Sequence, residues 1–282
     1  MNVVVRIAEF REACDAERAA GRTVGFVPTM GEFHEGHISL MRRARAERDV
    51  VAVSIFVNPL QFGPGEDFEA YPRDLDRDLS MARAEGVDLV FAPDGLEMYP
   101  EGEPEVTVDP GPLAGRLEGA IRPGHFRGVA TVVAKLFHAV GPAAAYLGEK
   151  DAQQLALIRR MARDLSFQVE VVGCPIVREP DGLALSSRNV YLSAEERGAA
   201  LCLSRALRAG ADLVAGGERD PRAVEVAIRR VVETEPLADL DYAVVVDEDS
   251  FDEIDAIERP ARALVAARVG RPRLLDNLLL AP

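Results

Sequence analysis

The chain has 282 residues, of which 48% are hydrophobic and 28% charged, a composition typical of a globular protein of about two domains. No apolar run approaches the ~18 residues that a membrane-spanning helix requires, which excludes a transmembrane protein. The formal net charge of −14 and the lack of Trp argue against a general nucleic-acid binder, because phosphate is repelled and few rings are available for base stacking.

The first residues, MNVVVRIAEF, carry Arg6 and Glu9 inside what would be the apolar segment of an export signal. We therefore expect a cytoplasmic protein. The three cysteines, Cys14, Cys174 and Cys202, are widely spaced and form no C-x-x-C pair. This pattern predicts reduced thiols, and neither a disulfide framework nor a zinc site.

Residues 1–175 alternate short apolar runs with helical patterns. The runs predict five buried parallel strands at 23–28, 50–57, 87–92, 143–147 and 168–174. Helices are predicted at 36–47, 74–85, 129–140 and 150–164. This order predicts an α/β domain over residues 1–175 with a doubly wound, Rossmann-like parallel sheet, in which ligands bind at the carboxyl ends of the strands.

The segment 95–119 is rich in Pro, Gly and Glu, and it predicts a long loop with at most one short strand at 105–108. After Cys174 the pattern changes. A capping box at 193–196 and an Asp-Pro pair at 220–221 predict two helices. Three strand patterns follow, at 242–247, 263–269 and 273–280, so a smaller α+β domain is predicted over residues 176–282.

The segment PTMGEFHEGH lies between the first strand and the first helix of this pattern. Gly31 and Gly36 allow a ligand to approach the backbone, and the helix start offers unpaired N–H groups to phosphate. His34 and His37 lie on one face of the first turn, where two imidazoles could stabilise charge on a phosphate under attack. The alternative is that they are partly buried histidines that cap a loop.

A metal site is a second alternative for His34 and His37. Zinc hydrolases of the H-E-x-x-H type place the two histidines four residues apart on an established helix. This sequence has H-E-G-H, with a glycine inside. The spacing therefore favours phosphate binding over metal-dependent hydrolysis.

The segment FVNPLQFG directly follows the second predicted strand. Its amides, on Asn58 and Gln61, can both donate and accept hydrogen bonds, which suits a small hydroxy-carboxylate. Taken alone, Asn-Pro and Phe-Gly are more typical of a plain loop. Its position beside the histidine segment favours a role in substrate binding.

The segment IRPGHFRG gathers Arg122, His125 and Arg127 just before a predicted helix. In a chain of net charge −14 such a basic cluster indicates a local anion site. The alternative is a surface turn whose charges are neutralised by nearby acids.

Two further segments, GEKDAQQ and LSSRN, carry donors suited to a triphosphate. Lys150 supplies a compact positive charge, while Ser186, Ser187 and Arg188 supply hydroxyl, backbone and guanidinium donors. A solvated helix start and a plain turn are the alternatives. Because these segments come from different predicted domains, we expect them to close on a nucleotide.

Together these segments resemble the pantoate-beta-alanine ligase family of bacterial pantothenate synthetases, within the HxGH nucleotidyltransferase superfamily. The resemblance covers nearly the whole chain, in the family's order and spacing, through PTMGEFHEGH, FVNPLQFG with EDFEAYPRD, RPGHFRGV, GEKDAQQ and DGLALSSRN. Phe33 and Gly65 stand where the family pattern has Leu and Asn.

The resemblance implies a two-step reaction with ATP and Mg²⁺, in which pantoate is adenylated and β-alanine then displaces AMP to form pantothenate. It implies His37, His34 and Lys150 as catalytic residues, His37 being the one usually named as proton donor. The implied ATP-binding residues are Met30, Gly31, Glu32, Phe33, His34, Glu35, Gly36, His37, Gly148, Glu149, Lys150, Asp151, Val177, Leu185, Ser186, Ser187 and Arg188.

For the small substrates, the resemblance implies Gln61 and Gln154 as pantoate-binding residues. We add Asn58, Arg122 and His125 as predicted substrate-binding residues. Magnesium is expected to be held mainly by phosphates and water, and assistance from Asp74 or Asp78 stays open. The resemblance also implies a homodimer, and the 176–282 domain is expected to close over the ATP site.

Two other functions stay open from the sequence. A nucleotidyltransferase with the same HxGH site would stop after adenylyl transfer, and amine-dependent AMP formation separates it from a ligase. A non-catalytic nucleotide-binding protein would bind ATP without catalysing pyrophosphate exchange.

Overall fold

The computed structural model describes residues 1–66 and 68–282. The chain divides into two compact units, of which the first comprises Met1–Glu149 and Gln153–Pro175. The second comprises Lys150–Ala152 and Ile176–Pro282. In the part of the chain that the structure describes, no helix is long and apolar enough to cross a membrane.

The first unit contains a six-stranded parallel sheet. Its strands are β1 (Asn2–Val4), β2 (Val24–Thr29), β3 (Val50–Ile55), β4 (Leu89–Phe91), β5 (Ala143–Gly148) and β6 (Val169–Cys174). The strand order is β1-β4-β3-β2-β5-β6, with every neighbouring pair parallel. The predicted doubly wound sheet is therefore confirmed, and β1 adds an edge strand that the sequence pattern did not predict.

The helices of this part of the chain follow the predicted alternation. They are α1 (Ile7–Ala19), α2 (Glu35–Glu47), α3 (Leu75–Ala84), α4 (Gly95–Met98), α5 (Glu118–Ile121), α6 (His125–Val140) and α7 (Ala152–Asp164). The sequence pattern did not predict α1, in which only Phe10 and Cys14 are buried. Helix α6 begins before the predicted position because Gly124, at φ 85°, serves as its N-cap.

Residues 105–108, where at most one short strand was predicted, form no strand. The N–H of Val108 donates instead to the buried Thr131 hydroxyl, at 3.0 Å. A single side-chain acceptor replaces the ladder that a strand would need.

The strand order places a topological switch point at β2. The chain moves from β2 to β3 on one side, whereas β5 pairs with β2 on the other. In open α/β sheets such a switch point leaves a crevice at the carboxyl ends of the strands. Here these ends are Thr29 of β2 and Gly148 of β5. The face beneath is closed by α2, whose Ile38, Met41 and Ala44 belong to the buried apolar cluster of the sheet.

The second unit contains two helices and an antiparallel sheet. Its elements are α8 (Ala194–Ala215), α9 (Pro221–Glu233), β7 (Ala238–Asp247), β8 (Ala261–Val269) and β9 (Arg273–Leu280), with strand order β7-β8-β9. The predicted capping box of α8 is confirmed, since Ser193 and Glu196 exchange backbone-to-side-chain hydrogen bonds of 2.8 and 3.2 Å. The buried cluster of this unit combines helix residues such as Leu203 and Ile228 with strand residues such as Val265.

Candidate active site

The loop from β2 to α2 makes a tight turn that a buried carboxylate holds in place. Gly31 and Glu32 both have positive φ, 83° and 52°. The Asp78 carboxylate of α3, only 1% exposed, accepts the N–H groups of Glu32 and Phe33, both at 2.8 Å. A Cβ atom at Gly31 would lie 2.8 Å from Asp78 Oδ2, so this position requires glycine. Asp78 thus anchors the loop that leads to the histidines.

The two histidines cap the start of α2 through each other. His34 is the N-cap residue, and its Nδ1 accepts from the N–H of Gly36 at 3.1 Å. His37 Nδ1 accepts from the N–H of His34 at 3.4 Å. A backbone N–H can only donate, so each neutral ring carries its proton on Nε2. The two imidazoles, with centroids 4.2 Å apart, therefore each provide an Nε2–H donor at a helix N-terminus.

Phe33, one of the predicted ATP-binding residues, packs into the first unit. Its side chain is fully buried in the core cluster of the sheet. Its N–H donates to Asp78, and its carbonyl accepts from Arg77 Nη2 at 3.1 Å. The structure therefore gives Phe33 a role in packing the loop. Its neighbours Met30, Glu32 and His34 are partly exposed.

The turn Pro59–Gln61, a short 3₁₀ segment after β3, lies against the histidine loop. Gln61 Nε2 donates to the sulfur of Met30 at 3.1 Å, and Gln61 Oε1 accepts from Asn58 Nδ2 at the same distance. Gln61 is thus held beside the β2–α2 loop, and the first two predicted segments are brought together.

Asn58, a predicted substrate-binding residue, is buried and hydrogen-bonded to its own chain. It is only 1% exposed, and its Nδ2 donates to Gln61 and to the carbonyl of Gly128, the latter at 3.2 Å. Its Oδ1 accepts from the Tyr99 hydroxyl at 2.8 Å. Burial raises the pKa of Tyr99, which keeps that hydroxyl protonated and able to donate. Asn58 therefore orients the amide of Gln61, the neighbouring residue predicted to bind pantoate.

Arg122 and His125, predicted to bind a substrate carboxylate, are hydrogen-bonded to groups of their own chain. Arg122 forms a two-pronged ion pair with Glu66, at 2.8 and 2.5 Å. His125 Nδ1 contacts the carbonyl of Gln61 at 2.8 Å, and its Nε2 contacts Arg122 Nη1 at 3.1 Å. Because a carbonyl only accepts and a guanidinium only donates, His125 carries its proton on Nδ1. These residues therefore fix the backbone of the Gln61 turn.

Gly128 and Glu66 also support the Pro59–Gln61 turn. Arg127 of the basic segment is exposed, but a Cβ atom at Gly128 would lie 2.1 Å from the carbonyl oxygen of Leu60. Helix α6 can approach the turn only because position 128 is glycine. The hydrogen bond from Arg122 lowers the pKa of Glu66, which stabilises its ionised form.

The two glutamines at the start of α7 have different environments. Gln153, only 4% exposed, accepts from the N–H of Glu118 and donates to the carbonyls of Leu113 and Arg116. It thereby holds the 112–121 segment, for which the sequence indicated no role. Gln154, the predicted pantoate ligand, is partly exposed.

The second unit gathers three of the residues predicted to bind the triphosphate around one pocket. Its lining consists of Lys150, Leu183, Ala184, Ser186, Arg188, Asn189, Leu203, Arg273, Leu274, Leu275 and Asp276. Ser186 caps the short 3₁₀ turn Ser187–Tyr191, accepting from the N–H of Arg188 at 3.3 Å. Lys150 Nζ lies 3.7 Å from Asp151. The Lys150 segment belongs to this unit, although the sequence pattern assigned it to the 1–175 domain.

Of the other predicted ATP-binding positions in this unit, Leu185 donates its N–H to the carbonyl of Val177 at 3.0 Å. This bond closes the hairpin that precedes the serine-arginine turn. Within residues 1–66 and 68–282, no group of three or more His, Cys, Asp or Glu side chains could hold a metal ion. Asp78, the carboxylate beside the histidine loop, is engaged by backbone N–H groups.

Comparisons with known proteins show the family of this chain. The family model for pantoate-beta-alanine ligase matches residues 2–279. The pantothenate synthetase of Roseiflexus sp. (strain RS-1) is 58% identical over 280 residues, covering 99% of each chain. That of Thermotoga neapolitana is 50% identical over 280 residues, covering 99% of this chain and 100% of the relative.

Solved structures show the same likeness. Pantothenate synthetase from Thermus thermophilus superposes with a TM-score of 0.93 at 51% identity, over 100% of both chains. Pantoate-beta-alanine ligase from Francisella tularensis, complexed with beta-gamma ATP and beta-alanine, has a TM-score of 0.80 at 35% identity, over 99% of this chain and 97% of that chain. From its sequence, its fold and these relatives, the chain belongs to the pantoate-beta-alanine ligase family.

Proposed function

We propose that this chain condenses pantoate with β-alanine at the expense of ATP, through a pantoyl adenylate. In the first step a pantoate carboxylate oxygen attacks the α-phosphorus, and the bond to the bridging oxygen of pyrophosphate breaks. In the second step the amine of β-alanine attacks the acyl carbon, loses a proton, and AMP leaves. The observation that supports this most strongly is the imidazole pair with two Nε2–H donors at the start of α2, beside Gln61.

In the first unit, the proposed role of His34 and His37 is to stabilise the charge that develops on the α-phosphate. Donors fixed before the reaction need no reorganisation when charge develops, which is the main source of such stabilisation. The Nδ1 atoms are both occupied by backbone N–H groups, so the rings are held in one orientation. Gln61, and Gln154 with it, would hold pantoate, and Gln61 would also meet β-alanine.

We propose that His37 donates a hydrogen bond and transfers no proton. A carboxylate is ionised at neutral pH and already nucleophilic, so the first step requires no general base. The neutral ring with its proton on Nε2 is suited to this role, since it donates without losing its cap on α2.

In the second unit, we propose that Lys150, Ser186, Ser187 and Arg188 bind the triphosphate. Lys150, Ser186 and Arg188 line one pocket, and a guanidinium with hydroxyl and ammonium donors matches the geometry and charge of phosphate. The remaining proposed ATP contacts are Gly148, Glu149, Asp151, Val177 and Leu185, together with the loop residues Met30, Gly31, Glu32, Glu35 and Gly36.

Further parts of the proposal concern the ion and the assembly. We propose that magnesium is bound with ATP through phosphate oxygens and water, because Mg²⁺ retains most of its water and binds substrate phosphates. The proposed homodimer rests on the family resemblance and the proposed cytoplasmic location on the charged residues Arg6 and Glu9. Sedimentation and cell fractionation test them. The net charge of −14 supports small-molecule substrates over nucleic acid.

The decisive experiment incubates the purified chain with ATP, magnesium, pantoate and β-alanine and identifies the products by mass. We expect pantothenate and AMP only when all four are present. AMP transfer that does not depend on β-alanine would indicate a nucleotidyltransferase. ATP binding without pantoate-dependent pyrophosphate exchange would indicate a non-catalytic nucleotide-binding protein, and either result would overturn the proposal.

A further inference from the structure

Strand β9 interrupts an apolar run with two adjacent polar residues. Its sequence is RLLDNLLL, and Asp276 and Asn277 are 3% and 1% exposed. Successive side chains of a strand point to opposite faces, so two neighbouring polar residues are both buried only if each has its own partners. The proposed function uses neither residue.

Asn277 connects a buried arginine to the backbone of Lys150. Its Oδ1 accepts from Arg262 Nη1 at 2.5 Å, and its Nδ2 donates to the Lys150 carbonyl at 2.9 Å. A guanidinium has no acceptor, so this pair fixes the orientation of the amide. Arg262 is itself 4% exposed and held by Glu248 at 2.5 and 2.7 Å. Arg262 therefore fixes the orientation of the Asn277 amide group that donates to Lys150.

Asp276 holds the other side of the same pocket. Its carboxylate accepts two hydrogen bonds from Arg178, at 2.6 and 2.8 Å, and Arg178 donates to the carbonyl of Gly182 at 3.1 Å. Arg178 pairs with Ala184 in an antiparallel bridge, and the chain then enters the turn that begins at Ser186. Two adjacent residues of one strand thus hold two of the chain segments that line the pocket, the one at Lys150 and the one that leads to Ser186.

We propose that Asn277 is a positioning residue for Lys150, and that Asp276 does the same for the serine-arginine turn. This inference rests on the proposed function, in which Lys150 acts on the ATP phosphates. A lysine side chain has four rotatable bonds, so its ammonium group can reach many positions around the Cα atom. Holding the backbone of Lys150 in place limits that range. Lys150–Ala152 belongs to the second unit although Glu149 and Gln153 on either side belong to the first, and the bond from Asn277 ties this segment to β9.

The variant Asn277→Asp tests this, because it keeps the shape and the acceptor for Arg262 and replaces the donor to the Lys150 carbonyl by a carboxylate oxygen, whose charge lies beside the Arg262 guanidinium. We expect the kcat of pantoate-dependent ATP–pyrophosphate exchange to fall by about 10- to 100-fold, the scale of a misplaced catalytic group. The KM for ATP should change by less than about threefold, because the lost contact acts on the reacting geometry.

A purely structural role is distinguished by repeating the change in a Lys150→Ala background. If Asn277 acts through Lys150, Asn277→Asp should lower the residual rate by less than about threefold there. A further loss as large as in the wild type would overturn the inference. Asp247→Asn is the matched control: Asp247 is a buried carboxylate of the same unit that caps residues 249 and 250 and pairs with Arg259. It should lower Tm and leave the exchange rate within about twofold.

If Asn277→Asp does not fold, Arg262→Lys provides the second test. This variant retains a cation but loses the planar guanidinium that fixes the Asn277 amide. We expect the kcat of pyrophosphate exchange to fall by about three- to tenfold, and this decrease should disappear in the Lys150→Ala background. An unchanged rate in either folded variant contradicts the inference alone. A wild-type protein that forms no pantothenate, or a fully active Lys150→Ala variant, contradicts the proposed function instead.

Discussion

The histidine loop of the first unit and the pocket of the second, which we propose binds phosphate, are built in different ways. His34 and His37 are three residues apart and cap the same helix through each other's backbone. Lys150 is held by Asn277, 127 positions away, and the serine-arginine turn depends on a pair between Arg178 and Asp276, 98 positions apart. A short motif can assemble the first kind of site, whereas the second kind exists only after β9 has formed.

The contrast is not absolute, because the histidine loop also has one distant support. Asp78 accepts two of its N–H groups from 45 and 46 positions away. Local capping therefore sets how the rings face, and a buried carboxylate sets where the turn lies. Variants that remove the histidine caps or the Asp78 carboxylate show how much of the activity depends on each support.

The largest effect is expected from the imidazoles themselves. His37→Ala and His34→Ala should each lower adenylation by at least ~100-fold, the scale of losing one preorganised donor. Because each ring belongs to the same capping arrangement, the double variant should be little worse than either single one. Pyrophosphate exchange measures this, with His138→Ala, an exposed histidine of α6, as the control. Fully multiplicative losses would show that the rings act independently.

A smaller effect is expected at Asp78. Asp78→Asn turns an NH₂ group toward a backbone N–H that needs an acceptor, which destabilises the turn by about 1–3 kcal/mol. We expect about a tenfold loss of kcat together with a lower Tm. Asp74→Asn, the exposed N-cap of the same helix, should cost about 1 kcal/mol of stability at most and retain activity. Equal activity in both variants would mean that the distant support is dispensable.

The smallest effect is expected at the ion pair behind Gln61. Glu66→Gln should raise the KM for pantoate by about threefold, because Arg122 loses its partner and the Gln61 carbonyl is held less firmly. The pKa of Glu66 is lowered from its ordinary 4.5 in the folded state, so its contribution is present above that pH and is lost as pH falls through the lower folded value.

Thermal unfolding of the wild type and of Glu66→Gln, measured across pH, tests whether the contribution of Glu66 to stability is lost in acid. The wild type should be more stable than Glu66→Gln by about 0.5 kcal/mol near pH 7, the scale of a partly solvated ion pair. The difference should vanish as the pH falls below 4.5. A difference that persists in acid would show that the pair contributes nothing and that packing alone is changed.

Much of the fold follows from the sequence, because periodicity and caps are local. The alternation of apolar runs predicted β2 to β6, and the pair Ser193 and Glu196 predicted the start of α8, since each signal spans only a few residues. Residues 105–108 had a strand-like composition but no neighbouring strand to pair with. Composition does not show whether a partner is present.

The partners of the polar residues were decided by tertiary structure alone. Asn58, Arg122 and His125 have the chemistry of substrate ligands, yet each is engaged with groups of its own chain. Conversely, Asp276 and Asn277 stand in an apolar strand, which indicates that they need partners without naming them. A buried polar group must form hydrogen bonds, but the chain that supplies the partner lies far away in sequence and reaches it only through folding.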